Sequence, residues 1–490
     1  MTIDRWISDA AKRHPEKTAL EFEGTRLSYS ALDAQVTARA KDLLARNVGQ
    51  GDRIAWYGLN APEVFVLLFA AARIGAMLVP LNWRLAEEEV AAIVKSADPK
   101  VLFYDDTFKD AAHRLSGVSL APSDAFCCAS DEGESAEGAP TEDAALLLVY
   151  TSGSTGAPKG VVLTQSALVA NAKMSIEAHA MTASDVVLNV LPLFHVGGLN
   201  ILPTPAFSLG ATVLLHRSFD PSRALSDLSR STLAITVPTV LQALMEQPDW
   251  ATADLSALRA ISVGSTDVPR AQIDALHRRD IPAVQIYGAT ETCPLAIYQT
   301  TATAIDTAGS IGRAGCACDI RLVGPDGQDV PDGTPGEIWV RGDNTLRGYW
   351  RDAEETARAL QDGWFRTGDV ASRDASGLYW FADRIKHVII SGGENIYPAE
   401  VERVLRTHPG IREVAVVGQP DPTWGETPVA VVVARDANLT GDQVLASLKG
   451  RLARYKHPRR VVFLDALPRN AMGKVVAAKL RALVADLPEG

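Results

Sequence analysis

The sequence is poor in cysteine. Its 490 residues contain five cysteines: Cys127 and Cys128 are adjacent, Cys316 and Cys318 form a C-x-C, and Cys293 stands alone. Because no C-x-x-C pair occurs, zinc or redox motifs of that type are not predicted. We expect all five thiols to be reduced, which favours a cytoplasmic location.

Long hydrophobic runs are also missing. Residues 1–17 contain no apolar stretch, so no secretory signal is predicted. The longest apolar stretch, residues 64–81, has Arg73 in its middle and Pro80 near its end. A membrane span needs about 20 residues and disfavours a central charge. We therefore expect a buried helix followed by a strand here, and no integral membrane segment.

Positive charge is in deficit. Lys and Arg number 48 against 59 Asp and Glu, which gives a net charge of −11. Such a protein is a poor general binder of nucleic acid, so phosphates would be held only at a local basic or amide-lined site. Hydrophobic residues at 47% and charged residues at 22% are typical of globular chains, which excludes disorder and disulfide scaffolds.

The order of sequence patterns predicts the fold class. Residues 15–105 alternate between strand and helix patterns, with a capped amphipathic helix at 28–47, as in parallel sheets covered by helices. From residue 320 short strands separated by Gly, Asp and Pro turns indicate antiparallel sheet, including a strand pair at 377–390. After Lys386 the pattern becomes compact α+β, with a helix at 398–405.

We therefore predict an α/β fold with a boundary at residues 383–386. Residues 1–385 form a large N-terminal domain of helix-covered, mostly parallel sheets plus a small antiparallel β subdomain. Residues 386–490 form a small C-terminal α+β domain.

Residues 150–160 carry the strongest chemical signal. They read Tyr-Thr-Ser-Gly-Ser-Thr-Gly-Ala-Pro-Lys-Gly and follow an apolar strand. Glycines let backbone N–H groups approach phosphate oxygens, hydroxyls add donors, and the lysine adds positive charge. The segment is not a Walker loop, because Pro158 precedes Lys159 and Gly160 follows it. Taken alone, a flexible Gly/Ser turn remains an alternative.

This segment resembles the phosphate-binding signature of the adenylate-forming superfamily, and in particular of its acyl-CoA synthetase family. Four further segments match that family in order and spacing, so the resemblance covers essentially the whole chain: 192–198 at the acyl pocket, 287–292 (YGxTE), 363–369 (GW-x-x-TGD) and 467–474, which ends in a lysine. The resemblance implies an acid–thiol ligase. A carboxylate and ATP would give acyl-AMP and pyrophosphate, and CoA would then displace AMP.

The resemblance also implies the nucleotide site, with ATP, Mg²⁺ and CoA as its cofactors and substrates. The matching positions are Thr151, Ser152, Gly153, Ser154, Thr155, Gly156, Lys159, Tyr287, Gly288, Ala289, Asp369 and Arg384. Tyr287 would lie against adenine, Asp369 would accept from the ribose hydroxyls, and Arg384 would reach ribose or phosphate. Ordinary alternatives are core packing for Tyr287, turn capping for Asp369 and a surface ion pair for Arg384.

Four positions would act on the reaction itself. Glu291, next to Thr290, would hold Mg²⁺, which binds to hard carboxylate oxygens. Lys474 would bridge the carboxylate and the α-phosphate and so offset their repulsion. His195 would be an aromatic gate between the ATP and acyl sites, although a packed core histidine is the alternative.

The resemblance implies that the small C-terminal α+β domain is mobile and moves for the second half-reaction. Lys386 matches the hinge residue, which must absorb a large change in backbone angles. Gly392 and Gly393 match the backbone that lines the pantetheine channel, where a side chain would obstruct the thiol; a simple hairpin turn is the alternative.

Substrate choice is less well determined. Amino-acid adenylation domains hold the ammonium with an Asp near the segment that matches 192–198, and this chain has no acidic residue at 192–200. The segments expected to form the acyl pocket, 197–204, 237–241, 262–267 and 289–297, contain no arginine for a second carboxylate. A fatty or aromatic acid is therefore expected, but residues 263–269 depart from the family pattern and leave chain length and ring size open. Other acceptors than CoA, an inactive nucleotide-binding homologue, and a monomer or homodimer also remain open.

Overall fold

The structure is a computed structural model that describes residues 2–124, 141–151, 158–264, 268–391, 394–469 and 475–485. The chain forms two compact units. The large unit comprises Met1–Ile320 and Trp339–Arg366, and the small unit comprises Arg321–Ile338 and Thr367–Gly490. This division separates the chain by its compactness. The predicted boundary at 385/386 is that of a moving domain, so it stays a prediction.

Strands and helices alternate along much of the chain. The strands are β1 (Thr18–Phe22), β2 (Thr25–Ser28), β3 (Arg53–Tyr57), β4 (Met77–Pro80), β5 (Val101–Tyr104), β6 (Ser119–Pro122), β7 (Ala145–Thr151), β8 (Lys159–Thr164), β9 (Val186–Asn189), β10 (Thr212–Leu215), β11 (Leu233–Thr236), β12 (Ala260–Gly264), β13 (Ala283–Tyr287), β14 (Ile297–Tyr298), β15 (Arg313–Ala314), β16 (Cys318–Val323), β17 (Gly336–Gly342), β18 (Gly348–Tyr349), β19 (Leu360–Gln361), β20 (Trp364–Arg373), β21 (Tyr379–Arg384), β22 (Ile389–Ser391), β23 (Glu394–Ile396), β24 (Ile411–Asp421), β25 (Gly425–Ala434) and β26 (Arg460–Phe463). The helices are α1 (Trp6–Arg13), α2 (Tyr29–Ala45), α3 (Pro62–Ile74), α4 (Glu87–Ala97), α5 (Lys109–Arg114), α6 (Gln165–His179), α7 (Val196–Asn200), α8 (Pro203–Leu209), α9 (Pro221–Leu228), α10 (Pro238–Met245), α11 (Arg270–His277), α12 (Ala353–Ala359), α13 (Pro398–Leu405), α14 (Gly441–Ala446) and α15 (Ala477–Ala485).

Two sheets dominate the large unit. The first has the order β15-β14-β13-β12-β11-β9-β10-β1-β2, and its strands from β13 to β1 are parallel. The second has the order β18-β8-β7-β4-β3-β5-β6 and is parallel from β7 to β6. Strands β4, β5 and β11 are buried at every position, as expected for parallel strands covered on both faces. The predicted helix-covered parallel sheet is thereby confirmed.

Local predictions in this unit are largely confirmed. The Ser28 side chain accepts from the Ala31 N–H and caps α2, which lies within the predicted helix. The apolar stretch 64–81 forms most of α3, which is capped at its C-terminus by Gly75 in the left-handed conformation, and then β4. Within the described ranges, none of the helices has the length and apolarity that a membrane crossing requires.

The small unit is built on an antiparallel pair. Strands β24 and β25 pair from Ile411↔Ala434 to Asp421↔Gly425, and β26 joins β25 in parallel. Their side chains alternate between two buried clusters: Val414 and Val416 lie in one, and Ala415 and Val417 in the other. Helix α13 has the predicted bounds, 398–405.

The predicted strand pair at 377–390 is wrong in its pairing. Strand β21 pairs antiparallel with β20, whereas β22 pairs with β23 and β25. Alternation of apolar residues predicts strands but does not identify their partners, so two strands that are neighbours in sequence need not pair with each other.

Candidate active site

The segment predicted to bind phosphate is bracketed by an antiparallel hairpin in the large unit. Strand β7 ends at Thr151 and β8 begins at Lys159, and these two residues face each other across the pair. The predicted phosphate ligands between them, Ser152, Gly153, Ser154, Thr155 and Gly156, lie outside the described residues. The hairpin therefore fixes where the segment leaves and rejoins the sheet.

The Lys159 ammonium has a carboxylate neighbour. It forms a salt bridge with Glu355 in α12, and the two side chains are 18% and 21% exposed. Its Nζ atom also lies 5.7 Å from the centroid of the Tyr349 ring. Partial burial and these contacts hold the lysine in place next to the segment predicted to bind phosphate.

The 287–292 segment forms a compact turn at the end of β13. Residues Thr290–Thr292 form one turn of 3-10 helix, in which Thr290 is buried and Glu291 is half-buried. The Ala289 N–H donates to Thr292 Oγ1 at 2.9 Å. A Cβ on Gly288 would lie 1.6 Å from the Pro294 carbonyl oxygen, so only glycine fits there. Tyr287, the last residue of β13, is half-buried.

Glu291 is held at both ends. Its backbone carbonyl accepts from the Leu346 N–H at 2.7 Å, and its Oε1 accepts from the Tyr349 hydroxyl at 2.9 Å. Burial, with the Glu291 charge as the next cause, raises the pKa of the Tyr349 phenol far above its ordinary value. The phenol therefore stays protonated and remains a donor to the carboxylate.

His195 caps a short helix. It precedes α7, and its Nδ1 accepts from the Gly197 N–H at 3.1 Å. This bond places the proton of the neutral ring on Nε2. The side chain is half-buried, whereas the preceding Phe194 is buried and packs edge-on to Trp83 at 6.2 Å.

Buried asparagines tie the His195 segment to the Glu291 turn. Asn200, at the end of α7, donates to the Cys293 carbonyl at 3.4 Å. Asn171 of α6 donates to the Asn200 carbonyl at 2.7 Å and accepts from the Leu295 N–H at 3.2 Å. Burial raises the pKa of the Cys293 thiol, which therefore does not serve as a nucleophile. Sequence reasoning missed both asparagines, since an isolated Asn carries no distinctive signal.

Asp369 and Arg384 face each other in the small unit. They are direct partners in the β20–β21 ladder, and Arg384 Nε lies 3.0 Å from Asp369 Oδ1. Asp369 is 5% exposed, and its N–H donates to Thr367 Oγ1 at 3.1 Å. The carboxylate is thus fixed next to a positive charge.

The predicted hinge residue, Lys386, lies in a 3-10 turn at Ile385–His387. The buried Asp383 carboxylate braces this turn: it accepts from the Arg384 N–H at 2.7 Å and from the Ala399 N–H, at the start of α13, at 2.6 Å. Gly392, Gly393 and Lys474 lie outside the described residues.

The described residues fit a metal that is held mainly by a substrate. Among them, no group of three or more His, Cys, Asp or Glu side chains could hold a metal ion. Mg²⁺ commonly binds through one or two carboxylates together with substrate phosphates. The Glu291 carboxylate is a donor of the required type. Glu291 and the cationic Lys159 both contact Tyr349, so the carboxylate also has a cation nearby.

Comparison with known proteins agrees with the motifs. The family model of AMP-binding enzymes matches residues 7–350, and that of the AMP-binding enzyme C-terminal domain matches residues 400–474. The indoleacetate–CoA ligase of Aromatoleum aromaticum is 47% identical, over 99% of this chain and 98% of that protein. The feruloyl-CoA synthase of an Amycolatopsis species is 40% identical, over 98% of each chain.

Solved structures of the o-succinylbenzoate-CoA synthetase of Bacillus subtilis are similar throughout. The complex with its acyl-adenylate intermediate has a TM-score of 0.87 and 32% identity, over 99% of both chains. The complex with ATP and magnesium ion has the same TM-score and identity, over 97% of this chain and 99% of that one. Together with the two relatives, these matches confirm the predicted class of acid–thiol ligase. The chain belongs to the AMP-binding enzyme family, among its acid–CoA ligases.

Proposed function

We propose that this ligase activates an aryl-substituted carboxylic acid with ATP and Mg²⁺ and transfers it to CoA. One observation supports the position of the adenylation site: Lys159 and Glu291 both contact Tyr349. Lys159 comes from the predicted phosphate-binding segment and Glu291 from a separate motif. A cation and a carboxylate from different motifs are therefore neighbours, as a metal–triphosphate complex requires.

The first half-reaction joins two anions, so its barrier is largely electrostatic. Lys159 would bind phosphate oxygens, and Glu291 would hold Mg²⁺, which neutralises charge on the leaving pyrophosphate. Thr290, the neighbouring hydroxyl, and the backbone of Gly288 and Ala289 would contact the α-phosphate and adenine, with Tyr287 against the base. Lys474 would supply the second cation, between carboxylate and α-phosphate.

Asp369 and Arg384 would form the ribose site. Asp369 would accept from the ribose hydroxyls, and Arg384, whose Nε lies 3.0 Å from Asp369 Oδ1, would orient that carboxylate. Rotation about Lys386 would exchange the Lys474 segment for the Gly392–Gly393 channel in the thioester step. Replacing Lys474 by Ala should then block acyl-AMP formation but leave thioester formation from supplied acyl-AMP. Equal loss of both half-reactions would contradict this two-conformation scheme.

The aryl acid is supported by chemistry and by the relatives. Residues 197–204 and 237–241 contain no charged side chain, so the pocket they would form suits an apolar group. Indoleacetate and ferulate, named for the two relatives, are both aromatic acids. His195, with its Nε2–H directed by the Gly197 contact, would separate the aryl group from ATP. A fatty acid is the second candidate, because a long-chain-fatty-acid–CoA ligase of Mycobacterium tuberculosis is 34% identical over 93% of this chain.

The test is pyrophosphate release with ATP and Mg²⁺ across a panel of acids, with and without CoA. The panel contains indole-3-acetate, ferulate, cinnamate, benzoate, octanoate and palmitate. We expect aryl acids to give the highest kcat/KM, with AMP and a thioester formed only when CoA is added. Preference for palmitate would replace the aryl acid by a fatty acid. Acyl-AMP without thioester would identify another acceptor, and bound nucleotide without turnover would identify an inactive homologue. The cytoplasmic location stays a prediction from cysteine content.

A further inference from the structure

Tyr349 lies between two charged groups that belong to different motifs, yet it belongs to neither motif. Its hydroxyl donates to Glu291 Oε1 at 2.9 Å, and its ring centroid lies 5.7 Å from Lys159 Nζ. In sequence it is 58 residues from Glu291. Folding alone brings these three side chains together.

The backbone fixes this placement. Strand β18, which contains Tyr349, is antiparallel to β8, and the Trp350 N–H donates to the Gly160 carbonyl at 2.7 Å, next to Lys159. Three residues before Tyr349, the Leu346 N–H donates to the Glu291 carbonyl at 2.7 Å. The tyrosine is thus attached through its backbone to both segments that its side chain contacts.

The phenol is suited to orient a carboxylate without neutralising it. The Tyr349 hydroxyl donates to Glu291 Oε1 at 2.9 Å, so it holds the carboxylate by a hydrogen bond and not by an opposite charge. A carboxylate offers about four lone-pair directions on its two oxygens, so it can accept from a phenol and ligate a cation at once. An arginine or lysine at the same place would instead compete with a cation for the negative charge.

We propose that Tyr349 is a positioning residue for adenylation: it orients the Glu291 carboxylate to bind Mg²⁺, and its ring supports the Lys159 ammonium. This inference rests on the proposed function, in which Glu291 is the Mg²⁺ ligand. Mg²⁺ demands near-ideal octahedral geometry with ligands at about 2.0–2.1 Å, so a freely rotating carboxylate binds it poorly. Groups that orient a metal ligand typically affect metal affinity about 10- to 100-fold.

The test replaces Tyr349 by Phe, which keeps the ring and removes the hydroxyl. Pyrophosphate release is measured at fixed ATP while free Mg²⁺ is varied. We expect the Mg²⁺ concentration for half-maximal rate to rise about 10-fold, with the KM for the carboxylic acid unchanged. Tyr349→Leu also removes the ring. In addition to the Mg²⁺ effect, we expect this variant to raise the KM for ATP, because the ring no longer supports Lys159.

Tyr298→Phe is the matched control. The Tyr298 hydroxyl donates to Glu177 Oε2 at 2.5 Å, and burial raises the pKa of this phenol too. The control therefore removes the same kind of phenol–carboxylate bond in the same unit, outside the β7–β8 hairpin. Its Mg²⁺ dependence should remain within twofold of that of the unchanged protein.

A Glu291→Gln variant separates the two levels of the argument. If it leaves the Mg²⁺ dependence unchanged, the proposed role of Glu291 fails. The positioning role of Tyr349 alone is overturned in two cases. In the first, Glu291→Gln raises the Mg²⁺ requirement but Tyr349→Phe does not. In the second, Tyr349→Phe lowers Tm and the rate without changing the Mg²⁺ dependence. In the double variant, a loss of apparent Mg²⁺ affinity no greater than that of Glu291→Gln alone supports the action of Tyr349 through Glu291. Additive losses of Mg²⁺ affinity contradict it.

Discussion

Gly288 is the position where the smallest substitution should have the largest effect. A methyl group there would lie 1.6 Å from the Pro294 carbonyl oxygen and 2.7 Å from Thr292 Oγ1. Non-bonded heavy atoms settle at roughly 3.5 Å, so the backbone must shift by roughly 2 Å. Neither neighbour is the flexible end of a long side chain, so the turn that carries Glu291 must itself move.

The cost of Gly288→Ala follows from these contacts. Overpacking typically costs about 1–3 kcal/mol. The shift also breaks two hydrogen bonds: Thr292 Oγ1 donates to the Pro294 carbonyl at 2.9 Å, and the Ala289 N–H donates to Thr292 Oγ1 at 2.9 Å. At about 1 kcal/mol each, the total becomes about 3–5 kcal/mol. A misplacement of about 1 Å in a reacting group can cost about 100-fold in rate.

Gly49→Ala is the matched control, because a Cβ at Gly49 would meet nothing within 4 Å. We expect Gly288→Ala to lower Tm by about 5–10 °C and to reduce the kcat/KM of pyrophosphate release about 100-fold. The control should change neither by more than the error of measurement. A Gly288→Ala protein whose rate and Tm match those of Gly49→Ala would refute the steric argument.

Two further substitutions test charged groups. Glu355→Gln removes the carboxylate that Lys159 must leave to bind phosphate, so the KM for ATP should fall about 3-fold, which corresponds to a pair worth less than about 1 kcal/mol. Glu354→Gln is the control, because Glu354 is 80% exposed, and it should leave the KM for ATP unchanged. An unchanged or higher KM for ATP in Glu355→Gln would contradict competition between Glu355 and phosphate for Lys159. Burial lowers the pKa of His179 to about 4, so its unfolded form, with a pKa near 6.5, takes up the proton first as the pH falls. Stability is therefore lost below pH 6.5, by about 2 kcal/mol between pH 7 and 5. Tm of the unchanged protein should fall more steeply over that range than Tm of His179→Gln, and parallel curves would refute this assignment.

The sequence predicts elements and motifs better than it predicts neighbours. Fully apolar runs such as β4 indicate buried parallel strands, and the capped pattern at α2 predicts a helix, because both signals are local. Partners of strands are not local, which is why the predicted pair at 377–390 is wrong. Gly288 is predicted as part of a motif, but its steric reason depends on a carbonyl six residues later.

Tyr349 shows the same limit within the candidate site. It stands in Arg-Gly-Tyr-Trp-Arg, where nothing marks it as a partner of Glu291. Its place follows from the pairing of β18 with β8, which joins residues far apart in the chain. A search for hydroxyls on strands that border the β7–β8 hairpin would have found it, but only with the sheet order known.

The partners of the charged groups differ in a way that separates two affinities. Lys159 is paired with a carboxylate, Glu355, and this pair must open before the ammonium can meet a triphosphate. Glu291 is paired with a neutral phenol, Tyr349, and this bond can persist while the carboxylate ligates a cation. In the proposed site, ATP binding therefore exchanges the partner of Lys159 but leaves that of Glu291 in place. Glu355 should accordingly set the affinity for ATP, and the Tyr349 hydroxyl the affinity for Mg²⁺, although these two residues are close in the sequence.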